Sequence, residues 1–419
     1  SSGQSEAVAA ESASRVGAMT GGRPLLRRAV VLAGALALVV GAAACSSDSG
    51  SEDAGADTTA TTAATTDATT AEAAAPVDPQ TEWVQHEAPP ECECAHGDPY
   101  SYWTRTADPD KVVLYFQGGG ACFSADMCAE GSDSYTQVAS GLEVTGSDTR
   151  EPSGVFDLND PDNPFRDWSF VYVPYCTGDL HLGDNVNEYS DDVTVSHKGF
   201  VNASAAYDTL LEEFGGAQEV FVTGSSAGGV PAPMFGALVA DDLPDARVTV
   251  LSDASGAYPS SPAINAAIGS LWGTFANVPD WPENEGLTPE DWGVTDLFVQ
   301  AGAHAPDVRF ARYDTAYDDV QSSFSELAGF AGDDLKSTIQ GNEAYIEEGG
   351  VDVASYLAPG TDHTILGTPA LYTLEVDGTS FLDWLTAYAD GEDVPDVTCT
   401  GDCGDPSALD GGATTTTAG

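Results

Sequence analysis

The sequence predicts an α/β fold with a mainly parallel sheet and helices on both faces, and three features predict it. Short apolar runs rich in β-branched residues alternate with stretches of helical spacing; one run leads straight into a glycine-flanked serine, and another into three glycines. Taken in order, Lys111-Val-Val-Leu-Tyr-Phe116 and Trp168-Ser-Phe-Val-Tyr-Val-Pro174 read as strands. In 203–214, Ala203, Tyr207, Leu210, Leu211 and Phe214 recur at helical spacing and share a face. Glu219-Val-Phe-Val-Thr223 is the next strand, 230–243 the next helix, and 247–251 and 307–313 are further strands. An amphipathic helix over 380–389 closes the pattern. Strands that alternate with helices in this way build a parallel sheet, because each crossover helix covers one face of it.

Acidic residues outnumber basic ones 67 to 13 in the 419 residues, a formal net charge of −54. From residue 81 onward the ratio is still 58 to 9. Nucleic acid and anionic lipid are bound through Lys and Arg, so neither is an expected partner. The charge instead favours solubility. Met19 opens a signal-peptide pattern: Arg23, Arg27 and Arg28, then an apolar run from Ala29 to Val40, then Ala42-Ala43-Ala44-Cys45. The run is too short to span a bilayer comfortably, and small residues before a cysteine make a lipobox. Residues 1–45 are therefore read as signal peptide with upstream residues and a lipid-attachment cysteine. This places the chain at the cell surface, held to the membrane only through Cys45. Residues 46–80 are mostly Ser, Thr, Ala and Asp and read as a disordered linker, as does the tail 404–419. The folded domain is expected over 81–403, as a monomer. Exported cysteines favour disulfides, and close spacing selects Cys122–Cys128 and Cys399–Cys403.

The strand 219–223 enters Gly224-Ser225-Ser226-Ala227-Gly228, the G-x-S-x-G turn of α/β-hydrolase-like folds. Glycines are needed on both flanks because the serine sits on a tight turn where a Cβ would clash. Ser226 is the predicted nucleophile. A serine hydroxyl needs a base, and in this architecture acid and histidine follow the nucleophile along the chain. That leaves His304 and His363. His363, in a turn-rich loop before the last helix, is the predicted base. For the acid, Asp314 after strand 307–313 is favoured on position, with Asp253 after strand 247–251 left open. Gly118-Gly119-Gly120 and the N–H of Ala227 would hold an oxyanion, where one donor is worth on the order of 3 kcal/mol.

These residues together resemble the Notum and pectin acetylesterase family across 94–389. The resemblance is carried by Cys94-Ala-His-Gly-Asp-Pro-Tyr100, Phe116-Gln-Gly-Gly-Gly-Ala-Cys-Phe123, Val173-Pro-Tyr-Cys176 and Thr223-Gly-Ser-Ser-Ala-Gly-Gly229. It continues in Ser252-Asp-Ala-Ser-Gly256, Phe310-Ala-Arg-Tyr-Asp314 and Tyr356-Leu-Ala-Pro-Gly-Thr-Asp-His363. It implies a serine carboxylesterase with Ser226, Asp314 and His363 as triad, and with Gly119, Gly120 and Ala227 as the oxyanion hole. It also implies a role for Asp253 in the site floor and a Cys94–Cys176 bridge beside Cys122–Cys128. The family often has a tryptophan near the end of the glycine run, whereas Ala121 stands here, so no acyl preference transfers.

No cofactor and no metal are expected. His181, close to Asp179 and Asp184, is read as a loop histidine at the site rim rather than a ligand. Trp272, Trp281 and Trp292 suit either a lid or core packing. The expected substrate is an acyl ester, on a glycan or another acylated molecule. The competing function is a non-catalytic, glycan-binding surface lipoprotein of the same fold, which would bind without turnover.

Overall fold

Valine, phenylalanine and tyrosine dominate the strand runs, and their alternation sends neighbours to opposite faces of one sheet. In the computed structural model, which describes residues 82–405 apart from 148, 150 and 331–333, that sheet has nine strands. They are β1 (Val84–Glu87), β2 (Ser101–Arg105), β3 (Asp108–Phe116), β4 (Trp168–Val173) and β5 (Glu219–Ser225). Then come β6 (Arg247–Asp253), β7 (Arg309–Thr315), β8 (Val353–Ala358) and β9 (Val397–Thr398). Their spatial order is β1-β2-β4-β3-β5-β6-β7-β8-β9. Only the pairings made by β2 are antiparallel; the rest are parallel.

On β3, Val112, Leu114 and Phe116 face one core layer, while Val113 and Tyr115 face the other. The first layer is closed by α1 (Gly199–Phe214), α2 (Ala232–Asp242) and α4 (Val294–His304) through Leu210, Phe235 and Leu297. The second is closed by α7 (Phe381–Ala389) through Phe381, Trp384 and Tyr388. Both sheet faces are therefore dry, which is why the central strands read as near-continuous apolar runs. The remaining long helices are α3 (Pro262–Trp272), α5 (Asp319–Ala328) and α6 (Leu335–Glu348).

Cysteines pair as Cys94–Cys176, Cys122–Cys128 and Cys399–Cys403, and Cys92 is buried and free. The signal-peptide, lipobox and linker readings fall outside the described residues, as does the tail from 406 on. Among the described residues no helix is long and apolar enough to cross a membrane. Trp272, Trp281 and Trp292 are all buried, and Trp272 and Trp292 line the cavity described below.

Candidate active site

Parallel strands end their chains on one edge, and the candidate groups gather there. At the end of β5, Ser226 adopts φ 55°, a left-handed conformation that costs a residue with a Cβ about 1–2 kcal/mol. Its neighbours explain the glycines: a Cβ on Gly224 or Gly228 would collide with Phe116 O. Phe116 ends β3, so the glycine run after it lies against the serine turn. A Cβ on Gly118 would stand 3.0 Å from Ser226 Cβ. Gly119 and Gly120 have φ 151° and 76°, and are held by Thr136 N donating to Gly119 O and Ala121 N donating to Ser134 O. That bridge uses neither the Gly119 nor the Gly120 N–H.

His363 lies in the loop after β8. Its Nδ1 is 2.6 Å from Asp318 Oδ2, and Asp318 is fully buried. A carboxylate only accepts, so Nδ1 carries the proton and Nε2 keeps its lone pair when the ring is neutral. Among the described residues Nε2 is buried and has no hydrogen-bond partner. The other Asp318 oxygen accepts from Val320 N and Gln321 N, both at 2.9 Å, capping α5. The two loops are zipped together by Ala316 N to Ala358 O, Tyr317 N to Gly360 O and Asp319 N to Thr361 O.

The acid is where sequence and structure differ. Asp314 does not meet His363; its carboxylate accepts from Gly256 N, Gln321 Nε2 and Arg312. β7 runs to Thr315, two residues beyond the expected end, so Asp314 lies within the strand and points to its neighbour strand's loop. The residue on His363 comes four positions later, at the start of a helix that sequence reasoning missed. Its signal was an aspartate placed to cap 319–328.

Asp253, the other acid considered, also stands apart from the His363 ring. One oxygen accepts from Ser225 Oγ at 2.6 Å, and the carboxylate also takes Ile365 N and Leu366 N at 3.0–3.1 Å. It thus ties the residue before Ser226 to the loop that carries His363. Burial pushes its carboxyl up to about 6. Tyr115 extends the chain, its hydroxyl 2.8 Å from Ser225 Oγ.

Ser226, Ala227, Gly120 and Ala121 open on a largely apolar cavity of about 110 Å³. Its wall is built by Leu180, Leu182, Ile264, Ile268, Trp272, Trp292, Phe324 and Phe330, among others. His304, the histidine passed over as base, ends α4 and sits between Glu283 and Asp241, stacked on Trp281. The donors around His181 are engaged: His181 Nε2 meets Gln117 O, Asp179 accepts from Thr177 Oγ1 and Gly199 N, and Asp184 pairs with Lys198. Among the described residues Cys122, Cys128 and His197 also cluster, but the sulfurs are joined to each other and both His197 nitrogens are hydrogen-bonded.

Residues 72–278 match the family model for pectinacetylesterase. That span holds the glycine run, Ser226 and Asp253; Asp318 and His363 lie beyond it. A palmitoleoyl-protein carboxylesterase NOTUM from Schmidtea mediterranea is 28% identical over 147 residues, covering 33% of this chain and 26% of that relative. Palmitoleoyl-protein carboxylesterase notum2 from Xenopus laevis is 27% identical over 139 residues, covering 32% and 28%. The matches therefore span only 26–28% of the length of these curated relatives. Over residues 72–278, just under half of its length, the chain is therefore similar to the pectinacetylesterase family.

Proposed function

We propose that this protein is an exported serine carboxylic-ester hydrolase, with Ser226 as nucleophile, His363 as general base and Asp318 as the acid that orients it. The observation that carries the reading is the 2.6 Å contact between His363 Nδ1 and the buried Asp318, which leaves Nε2 free as base. Nε2 takes the Ser226 proton as Oγ attacks the ester carbonyl. The oxyanion is held by the N–H groups of Gly119, Gly120 and Ala227. The imidazolium then returns the proton to the leaving alcohol, and water, activated by the same nitrogen, releases the acid. Asp318 keeps its hydrogen bond to Nδ1 throughout and stabilises the imidazolium. Three disulfides support an oxidising compartment, and the lipobox ending at Cys45 supports a lipid anchor there.

The cavity supports a narrower reading of the substrate. About 110 Å³ takes on the order of seven to eleven water-sized groups at roughly 10–15 Å³ each, and its walls are largely apolar. A short-to-medium unbranched acyl chain suits it better than acetyl. Each buried methylene contributes up to about 0.8 kcal/mol, roughly fourfold in kcat/KM. With p-nitrophenyl esters, kcat/KM should climb from acetate to between hexanoate and octanoate, and Ser226→Ala should abolish turnover at every length. Equal turnover by Ser226→Ala would sink the hydrolase assignment; a maximum at acetate would sink the acyl-pocket assignment alone.

A further inference from the structure

Gln117, the last residue before the glycine run, is gripped on three sides by the end of β4 and the segment that follows it. Its N–H donates to Val173 O at 2.9 Å, and its side-chain Oε1 accepts from Tyr175 N at 3.0 Å. Its carbonyl oxygen lies 2.8 Å from His181 Nε2. A carbonyl only accepts, so Nε2 carries the proton and the imidazole is the donor. The ring is 1% exposed, edge-on to Phe116 and tilted against Tyr175. Burial drives its basicity down, to about 4, so it is a neutral donor wherever a serine–histidine pair works.

The turn that presents this donor is held in a costly shape. Leu180 and His181 both have positive φ, 59° and 58°, at a cost of roughly 1–2 kcal/mol each. Leu180 N donates to Tyr175 Oη, and Asp179 fixes the turn to the start of α1 by accepting from Gly199 N at 2.7 Å. Gly199 leaves room for the turn, since a Cβ there would come within 2.7 Å of His181 Cα. Tyr175 also flanks the glycine run, 2.8 Å from where a Gly119 Cβ would be. Leu180 and Leu182 line the cavity, so the same turn touches acyl group and oxyanion loop.

We propose that His181 is a positioning residue for this site: by holding the Gln117 carbonyl it aims the N–H groups of the glycine run at the oxyanion. This rests on the hydrolase reading above. His181→Leu fills the space without a donor, whereas His181→Gln returns an N–H at similar reach. The Leu variant should lose about 10- to 100-fold in kcat with KM within about threefold, a loss smaller than or equal to deleting one oxyanion donor. Its affinity for an alkylboronic acid, a mimic of the tetrahedral state, should fall in proportion. His181→Gln should recover to within about fivefold of wild type on both readouts. Amide hydrogen exchange at 117–120 should quicken in the Leu variant and not in the Gln variant. Unchanged kcat in His181→Leu, or a Gln variant no better than Leu, overturns the proposal. If the Leu variant does not fold, His181→Asn, whose amide is too short to reach Gln117 O, must show the same kcat loss. If wild type turns over no ester, the hydrolase reading falls by itself. The exchange at 117–120 then decides alone, with equal rates in wild type, Leu and Gln variants counting against the clamp.

Discussion

Two aspartates four residues apart have opposite jobs. Asp314 forms a buried pair with Arg312 at 3.1 Å, both side chains under 5% exposed. Removing its charge strands the guanidinium, which costs about 3–5 kcal/mol. Asp314→Asn should therefore lower the denaturation midpoint sharply while kcat of the folded fraction stays within a few-fold. A comparable loss in kcat would mean Asp314 acts on the base after all. Asp253 supplies the pH dependence. Burial raises its carboxyl to about 6 from the usual 3.8, with hydrogen bonds from Ser225 and the 365–366 amides and the charge of His363 opposing. Tyr115 on β3 and Tyr313 on β7 also face it. Because the folded value lies above the unfolded one, its contribution to stability is present below about pH 4 and lost as pH rises through 6. Activity runs the other way, since only the carboxylate can accept all of those donors. As pH falls through 6, kcat should drop as Asp253 takes up a proton and can no longer accept all of those donors. A kcat of the folded protein unchanged down to pH 5 would contradict this role for Asp253.

At the scale of elements, α5 does two things with one residue. Asp318 caps its first turn with one oxygen and holds His363 with the other. Asparagine caps as well as aspartate but cannot carry the charge, whereas alanine loses the cap at about 1 kcal/mol. Asp318→Asn and Asp318→Ala should both lose about 10³-fold or more in kcat, and only the Ala variant should also lose the cap's share of stability in urea. This element also marks the limit of what was legible. The serine turn was readable because strand, glycines and helix are adjacent in the chain, and the steric demand at Gly224 and Gly228 is local. The glycine run was readable for the same reason. Asp318 was not, because two residues of strand beyond Tyr313 are decided by pairing with β8, and Asp314 at the apparent strand end drew the assignment. α3 and α4 were missed as well; α3 is an apolar helix with only Asn265 and Trp272 buried, so its pattern carries no clear face. His304, passed over as the base, ends α4.

For the molecule as a whole, stability rests on a core covered on both faces and on three staples of unequal reach. Cys94–Cys176 joins residues 82 apart, and Cys399–Cys403 residues 4 apart. Loop entropy then assigns about 4.5 kcal/mol to the first and about 2 kcal/mol to the second. Double serine variants compared by urea unfolding should keep that order; a larger loss from the short bridge would place its role in the native state instead. All of the candidate groups, however, lie on loops at one rim of the sheet, where β3, β5, β7 and β8 end. The most direct measurement is the rate and site of fluorophosphonate labelling, read by intact mass and peptide mapping. The account predicts a single adduct, on Ser226, formed at least 10³-fold more slowly in His363→Ala and Asp318→Asn and at near wild-type rate in folded Asp314→Asn. An adduct elsewhere, or labelling of Ser226 at the same rate without His363, would contradict it.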